Sequence, residues 1–530
     1  MVLKYAEKVA NLFQNNGFKK GDTVAILVDN CPEYTCIWLG LSKIGIISGL
    51  INTRITGDSL LYAITVIQSK AIIFGDNFKD QIVSIQNKLE NVSLYQLTLE
   101  GDINSMDVRG PLNGISDSST ETHVCNFNDP VMYIFTSGTT GLPKPAIITN
   151  QKYLQIVTAM RAFIGFKPDD TIYNCLPLYH SSGTLLCNGQ YLLGGNTIVM
   201  RKKFSASRYF ADCEQYKCTI GFYVGEMCRY ILGTSPENDI KPTKLRALTG
   251  NGLKGNVWKE FVSRFKVKQI IEFYAATEGN MGYVNSDNTI GSCGFVPVYI
   301  QHLQARIKCN EETGEPIRDA KGYCIRCKSD EPGLQIGVIK ESLPISLFLG
   351  YTNKKETQKK ILRNVFKNGD MYFNTGDILV MNKFGYLYFV DRTGDNFRWK
   401  GENVSTYDVE DAISKVIELN DAVVFGVKVP RTEGCAGMSV IVPHDNFDVD
   451  LFNERLKNRL PSYAIPVFLR VVEKVPVTGN FKLQKYQFRQ EGYNPNVIRD
   501  PLYLYDAKLG KYIYLTSSVY QSILKEELNL

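Results

Sequence analysis

Apolar residues recur along this chain at two spacings, and the spacing alternates. In the first turns Ala6, Val9, Ala10 and Phe13 fall at three- and four-residue intervals, which predicts an amphipathic helix stopped near Gly17. TVAILVDN (23–30) is a short β-branched run ending in a turn. A helical pattern follows, and AIIFGDN (71–77) is a second such run. This alternation predicts an α/β architecture with largely parallel sheet. Residues 101–129 are rich in Ser, Asn, Asp and Gly and read as a loop-like bridge. After about Phe373 the character changes, and GYLYFVDRTGDNFRWKGENVS (385–405) reads as an antiparallel hairpin region. A helix is expected from Ser405 or Thr406, with Asp408 and Glu410 near its positive end and Val409, Ile413 and Val416 on its apolar face. AVVFGVKVP (422–430) and AGMSVIVP (436–443) are then strands. These signals predict a large domain over 1–391, a small α+β domain over 395–530 and a boundary at 391–394.

A hydrophobic content of 44% and a charged content of 22% fit a folded globular protein, and a net charge of +6 permits anionic partners without demanding them. The basic stretch TNKKETQKKILRNVFKNG (352–369) reads as a helix, with Lys355, Lys359 and Lys360 set against Ile361, Leu362, Val365 and Phe366. A solvated helix face explains it better than a nucleic-acid patch, because aromatic interleaving is missing. The 13 cysteines are irregularly spaced, and only Cys324-x-x-Cys327 has metal-like or redox-like spacing. With no second CxxC to complete a zinc site, they read as reduced thiols in a cytosol-facing compartment. No window reaches the ~20 apolar residues that span a bilayer. CIWLGLSKIGIISGLI, from Cys36, is too short and carries Lys43. The start lacks the apolar core of a secretory signal. Its helix begins at Met1 without an N-cap, which suggests sequence upstream of this start.

The candidate chemistry lies in YIFTSGTTGLPKPAIITN (133–150). Gly138 and Gly141 let backbone N–H groups converge on an anion. Thr136, Ser137, Thr139 and Thr140 add hydroxyls, and Lys144 adds charge. That is the composition of a triphosphate cradle. It is not a Walker loop: Pro143 stands at the second glycine position, and Pro145 follows Lys144. Taken alone, the stretch is also compatible with a plain Ser/Thr/Gly hairpin.

Four further blocks follow in order: YAATEG (274–279), TGD (375–377), DRTGD (391–395) and TGNFK ending in Lys482. The set resembles the adenylate-forming enzymes, and five motifs in order between Thr136 and Lys482 make it specific. VGEMCRYIL (224–232), GNGLKGNVW (250–258), DRTGDNFRWKGENVS (391–405) and TGNFKLQK (478–485) narrow the resemblance to the fatty acid transport protein, or very-long-chain acyl-CoA synthetase, family.

The resemblance implies the adenylate-forming fold, a large N-terminal domain of β-sheets flanked by helices with a small mobile α+β C-terminal domain. It implies an ATP-dependent ligase joining long- or very-long-chain fatty acids to CoA through an acyl-adenylate, with coupled fatty acid uptake. ATP, Mg²⁺ and CoA would be used. The loop from Thr136 to Lys144, with Ser137, Gly138, Thr140 and Gly141, would hold the β- and γ-phosphates. Thr139 and Glu278 would place Mg²⁺. Tyr274 would stack on adenine, Gly250 and Asn251 would form the opposite wall, and Thr277 belongs to the same nucleotide-binding block. Asp377 and Arg392 would meet the ribose. Lys482 would meet the α-phosphate and carboxylate oxygens, although Phe481 stands before it where the wider family usually has glycine. Gly394 would serve as the hinge, where many members have Asp or Lys. Gly401 would admit the pantetheine arm of CoA. His180 would stand beside the acyl pocket, where a satisfied, partly buried histidine is an equal alternative. The family also implies membrane association with a cytosol-facing site, at the endoplasmic reticulum, plasma membrane or peroxisome, though no anchor is visible here and no nucleic acid is expected. The competing readings are a CoA ligase for another carboxylate, such as a bile acid, and a non-catalytic fatty acid carrier or scaffold.

Overall fold

The computed structural model describes residues 2–98, 103–105, 115–118, 122–136, 143–234, 244–310, 314–393, 397–399, 402–430, 434–444, 446–477, 483–525 and 527–528. They gather into two units, one of residues 1–294 with 339–361 and the other of residues 295–338 with 362–530.

The first unit opens on α1 (Val2–Asn15), whose Ala6, Val9, Ala10 and Phe13 are buried as their spacing predicts. One sheet follows, built from β1 (Thr23–Leu27), β2 (Ile47–Leu50), β3 (Ala71–Gly75), β4 (Ser93–Leu97), β5 (Ile103–Ser105), β6 (Pro130–Thr136) and β7 (Lys144–Thr149) in the order β5-β4-β3-β1-β2-β6-β7. The pairs β4-β3, β3-β1, β1-β2 and β2-β6 are parallel, and both edge pairs are antiparallel. Helices α2 (Pro32–Lys43), α3 (Gly57–Val66) and α4 (Lys79–Ile85) supply the crossovers that parallel strands require. Every residue of β1 and β3 is buried, which explains why these strands read as unbroken apolar runs. β5 corrects the expectation that 101–129 is loop throughout: three residues in that polar stretch pair with β4.

α5 (Asn150–Ile164) leaves β7 directly, with the Thr149 side chain capping the Lys152 amide and Gly165 ending the helix at φ 65°. The unit continues through β8 (Thr171–Asn174), α6 (Gly189–Gly194), β9 (Thr197–Met200), α7 (Tyr209–Gln215), β10 (Ile220–Val224), α8 (Gly225–Thr234), β11 (Ala247–Asn251), α9 (Gly255–Phe265), β12 (Ile270–Ala275) and β13 (Gly282–Asn285). Within it these strands lie in the order β9-β8-β10-β11-β12-β13, parallel except for the last pair. The chain passes to the second unit at the two-residue β14 (Gly294–Phe295) and returns through residues 339–361, which carry α10 (Lys354–Gln358).

α10 corrects a second expectation. Residues 352–369 do not form one helix: five helical residues are followed by β17 (Ile361–Arg363). Local turn chemistry overrides the helical spacing. The Asp370 carboxylate accepts from the amides of Val365, Phe366 and Lys367 at 2.6, 3.0 and 3.1 Å, and Asn364 takes φ 52°.

In the second unit β15 (Gln304–Ile307), β16 (Gly333–Ile339), β18 (Met371–Met381) and β19 (Tyr386–Arg392) lie side by side, with β17 on β18. β20 (Phe397–Trp399) and β21 (Glu402–Val404) form the expected antiparallel hairpin. Ser405 caps α11 (Thr406–Val416), accepting from the Asp408 amide at 3.2 Å. A five-stranded sheet follows, in which β22 (Ala422–Val427), β23 (Ala436–Ile441), β24 (Phe468–Val471), β25 (Leu502–Asp506) and β26 (Lys511–Tyr514) are neighbours in chain order. α12 (Val449–Lys457), α13 (Tyr486–Glu491) and α14 (Ser517–Leu524) complete an α+β assembly around a core that includes Ile413, Phe425, Met438, Leu456 and Phe468.

Candidate functional site

The small-residue loop is borne by a β-hairpin. β6 and β7 are antiparallel, and Thr136 stands opposite Lys144 at their open end. Thr136 Oγ1 lies 3.4 Å from the Lys144 carbonyl. Ser137, Gly138, Thr139, Thr140 and Gly141 lie outside the described residues, as do Gly394, Gly401 and Lys482.

Residues 350–352 are strapped along β7: the Ile147 amide donates to the Gly350 carbonyl at 3.0 Å and the Thr352 amide to the Pro145 carbonyl at 3.1 Å. The strap delivers Tyr351, whose hydroxyl donates to Glu278 Oε1 at 2.8 Å. Burial and the Glu278 charge both push the Tyr351 phenol up, and Thr136 comes within hydrogen-bonding reach of it. The ring centroid lies 6.0 Å from Lys144 Nζ. Lys144 itself pairs with Glu356 Oε2 at 2.5 Å. Thus Thr136 and Lys144 on the hairpin, and Glu278 far from them in sequence, converge on Tyr351.

Glu278 is 9% exposed. Beside it, half-buried Lys152 in the first turn of α5 donates to the Thr277 carbonyl at 2.8 Å. Burial lowers the Lys152 ammonium to about 8, and the Glu278 charge opposes that shift. The Thr277 hydroxyl is 3.3 Å from that of Ser181, so Thr277 adjoins the His180 segment. His180 precedes a π-helix at Ser182–Asn188, a backbone irregularity frequent at functional sites. Its Nε2 is buried with no hydrogen-bond partner among the described residues. Burial, with Arg54 adding to it, holds the imidazole down at about 4, so His180 is neutral at physiological pH.

Gly250, Asn251 and Tyr274 share one sheet end. Gly250 pairs with Glu272 across β11 and β12, and Tyr274 follows at the end of β12. A Cβ at Gly250 would stand 2.2 Å from the Tyr223 carbonyl oxygen, so strand packing alone demands glycine. The Tyr274 ring is stacked on Tyr283 at 6.0 Å and 15°. Glu272 sits beneath the Gly250–Leu253 turn, accepting from the Leu253 amide at 3.0 Å and from the Tyr223 hydroxyl. Burial pushes its carboxyl up to about 8.

Asp377 and Arg392 belong to the second unit. They are partners across β18 and β19, with Arg392 Nε 3.0 Å from Asp377 Oδ1. Gly376 takes φ 77°, and the Asp377 amide donates to Thr375 Oγ1 at 3.0 Å. Asp391, 4% exposed, accepts from the amides of Arg392 at 2.8 Å and Thr406 at 3.1 Å, joining the end of β19 to the start of α11.

Tyr351, Glu356, Lys152 and Glu272 escaped the sequence reading. Each acts on a site segment distant in the chain, and no local spacing announces it. Among the described residues no group of three or more His, Cys, Asp or Glu could hold a metal on its own. A single buried carboxylate, Glu278, suits Mg²⁺ that arrives with substrate phosphates and keeps several waters.

The chain matches the AMP-binding enzyme family over residues 2–326 and the AMP-binding enzyme C-terminal domain over residues 408–482. It is 40% identical to long-chain fatty acid transport protein 1 of Mus musculus, covering 99% of this chain and 83% of that protein. It is 38% identical to long-chain fatty acid transport protein 6 of Homo sapiens, covering 99% of this chain and 86% of that protein. Among solved structures, ATP-bound MatB from Rhodopseudomonas palustris superposes with a TM-score of 0.76 at 22% identity, covering 92% of each chain. O-succinylbenzoate coenzyme A synthetase (MenE) from Bacillus subtilis, in complex with ATP and magnesium ion, superposes with a TM-score of 0.72 at 20% identity, covering 92% of this chain and 93% of that one. The fold is therefore that of the adenylate-forming enzymes, and the chain belongs to the AMP-binding enzyme family and, within it, to the long-chain fatty acid transport proteins.

Proposed function

We propose that this protein is an AMP-forming acid–thiol ligase that activates long- or very-long-chain fatty acids with ATP and passes them to CoA. The observation that carries the reading is the buried Glu278 carboxylate, fixed by Tyr351 on the strap that flanks the hairpin bearing Lys144. The first step needs charge management more than covalent help. A fatty carboxylate oxygen attacks the α-phosphorus, the bond to the bridging α–β oxygen breaks, and pyrophosphate leaves. Magnesium, when bound, neutralises polyphosphate charge.

Lys144 and the loop from Thr136 hold the β- and γ-phosphates, and Glu278 with Thr139 provides oxygen for the cation. Gly250, Asn251, Tyr274 and Thr277 receive the adenine end, and Asp377 with Arg392 the ribose. Lys482 meets the α-phosphate and the attacking carboxylate. His180 borders the acyl chain. Its imidazole is neutral at pH 7; the incoming carboxylate is already an anion and needs no base. In the second step the CoA thiolate attacks the acyl carbon and AMP leaves. The hinge at 391–394, with Gly394 absorbing the swing, would bring Gly401 to the site so that pantetheine can pass close to the backbone.

Uptake follows by trapping, because a charged CoA ester does not recross a bilayer. The relatives' name, fatty acid transport proteins, supports a membrane-associated protein; a cytosol-facing site is part of the proposal. No helix among the described residues is long and apolar enough to span a membrane.

The test is pyrophosphate release by purified protein with ATP, Mg²⁺ and palmitate or lignocerate, with and without CoA, beside Lys482→Ala. Fatty-acid-dependent pyrophosphate that collapses in the variant, with acyl-CoA formed only when CoA is present, is the expected result. Folded, ATP-binding protein that yields no such pyrophosphate would overturn the reading and leave the carrier or another acid.

A further inference from the structure

We infer that Glu356 is a carboxylate latch: it pairs with Lys144, the proposed phosphate-binding lysine, and must yield it to the ATP polyphosphate. The inference rests on the proposed role of Lys144 and adds what controls that lysine. The two groups meet at 2.5 Å, with side chains only 17% and 20% exposed. A half-buried ammonium without a counter-charge is costly, and Glu356 supplies that charge. Polyphosphate brought to the same Nζ meets the Glu356 carboxylate as a like charge at contact distance, so one of the two anions leaves.

Glu356 has somewhere to go. Its other oxygen, Oε1, is 2.5 Å from Lys359 Nζ, and Lys359 is 67% exposed. The carboxylate therefore bridges an inner cation that substrate would claim and an outer cation at the solvent edge. Lys144 first and Lys359 second hold the carboxyl down at about 2, so it is an anion at any working pH.

The latch is built into the strap. The Asn353 side chain accepts from the amides of Lys355 and Glu356 at 2.9 and 3.3 Å, fixing the turn that carries the carboxylate. Thr357 Oγ1 accepts from the Tyr351 amide at 2.9 Å and donates to its carbonyl at 3.1 Å. Tyr351 holds Glu278. The residue that releases the phosphate lysine and the residue that orients the cation's carboxylate thus share one short segment. After adenylation, return of Glu356 to Lys144 competes with pyrophosphate and speeds its departure.

Calorimetric titration of ATP, without fatty acid, into wild type and Glu356→Gln tests the latch. The variant is expected to bind ATP about two- to fivefold more tightly, the upper range of one partly exposed ion pair. Pyrophosphate should inhibit it at concentrations lower by a similar factor. Unchanged or weaker binding of both ligands by a variant that melts like wild type would overturn the latch and make Glu356 a mere prop for the lysine. Should the Gln variant not fold, Glu356→Asp draws the carboxylate back by one methylene and is expected to shift both constants in the same direction. The two ideas fail separately. A wild type that binds ATP and releases fatty-acid-dependent pyrophosphate keeps the ligase reading even if Glu356→Gln binds no tighter. A wild type that does not bind ATP removes both.

Discussion

Replacing Tyr351 by Phe deletes one oxygen and keeps the ring. That oxygen is the donor to Glu278 Oε1, at 2.8 Å in a buried setting. A hydrogen bond to a charged acceptor contributes about 1.5–3 kcal/mol net, and the loss falls where water cannot readily substitute. The same range is a factor of about 10 to 150 in an equilibrium or rate constant. Glu278 would remain in place but free to rotate, so, with Glu278 as the proposed cation ligand, the deficit should appear in the dependence on the cation. Outer partners that orient metal-binding groups show losses of about 10- to 100-fold when removed, which agrees. Pyrophosphate release measured across a Mg²⁺ titration should therefore show a half-saturating concentration raised about tenfold or more in Tyr351→Phe. Activity should partly recover at high Mg²⁺. The reasoning is refuted if the variant keeps the wild-type Mg²⁺ dependence and loses only thermal stability, since Tyr351 would then serve the strap alone.

Two other perturbations reach different parts of the structure. Glu272 carries its proton in the fold up to about pH 8 but releases it in the unfolded chain within the usual carboxylate range, so stability present in acid is lost as pH rises toward 8. The slope is at most about 1.4 kcal/mol per pH unit, and Tm measured between pH 5 and 9 should fall more in wild type than in Glu272→Gln; parallel curves would show that Glu272 does not carry the effect. Asp391→Ala strips the Thr406 amide of its carboxylate partner at the start of α11 and should cost about 1–3 kcal/mol of stability by calorimetry. If residues 391–394 are the hinge, acyl transfer to CoA should fall more than pyrophosphate release, whereas equal losses would leave Asp391 a purely structural role.

What the sequence disclosed followed the range of the interactions involved. β1 and β3 were legible because a strand buried along its whole length is an unbroken apolar run. The α11 cap at Ser405 was legible because capping is settled within three residues. The two corrections have local causes as well: Asp370 gathers three amides into a turn where the lysines suggest a helix, and β5 is too short to show a period. The site was legible only as motifs. Nothing near Glu278 in sequence announces Tyr351, 73 residues away, and nothing near Lys144 announces Glu356, 212 residues away. Glu272 lies inside an apolar strand pattern, and only partners distant in the chain, the Leu253 amide across the turn and the Tyr223 hydroxyl, explain a carboxyl there. A motif is read along the chain, whereas the groups that hold its residues are brought in by topology.

The strap along β7 has a consequence for solubility. β7 ends its seven-stranded sheet, and an edge strand offers unpaired backbone groups to any other chain. Here Pro145 contributes no N–H, and Gly350 and Thr352 take up the Ile147 amide and the Pro145 carbonyl. The segment that flanks the β6–β7 hairpin is thus also the guard of a sheet edge. Deleting or lengthening it would open a template for intermolecular strand pairing, and such proteins would be lost to aggregation before their catalysis could be assayed.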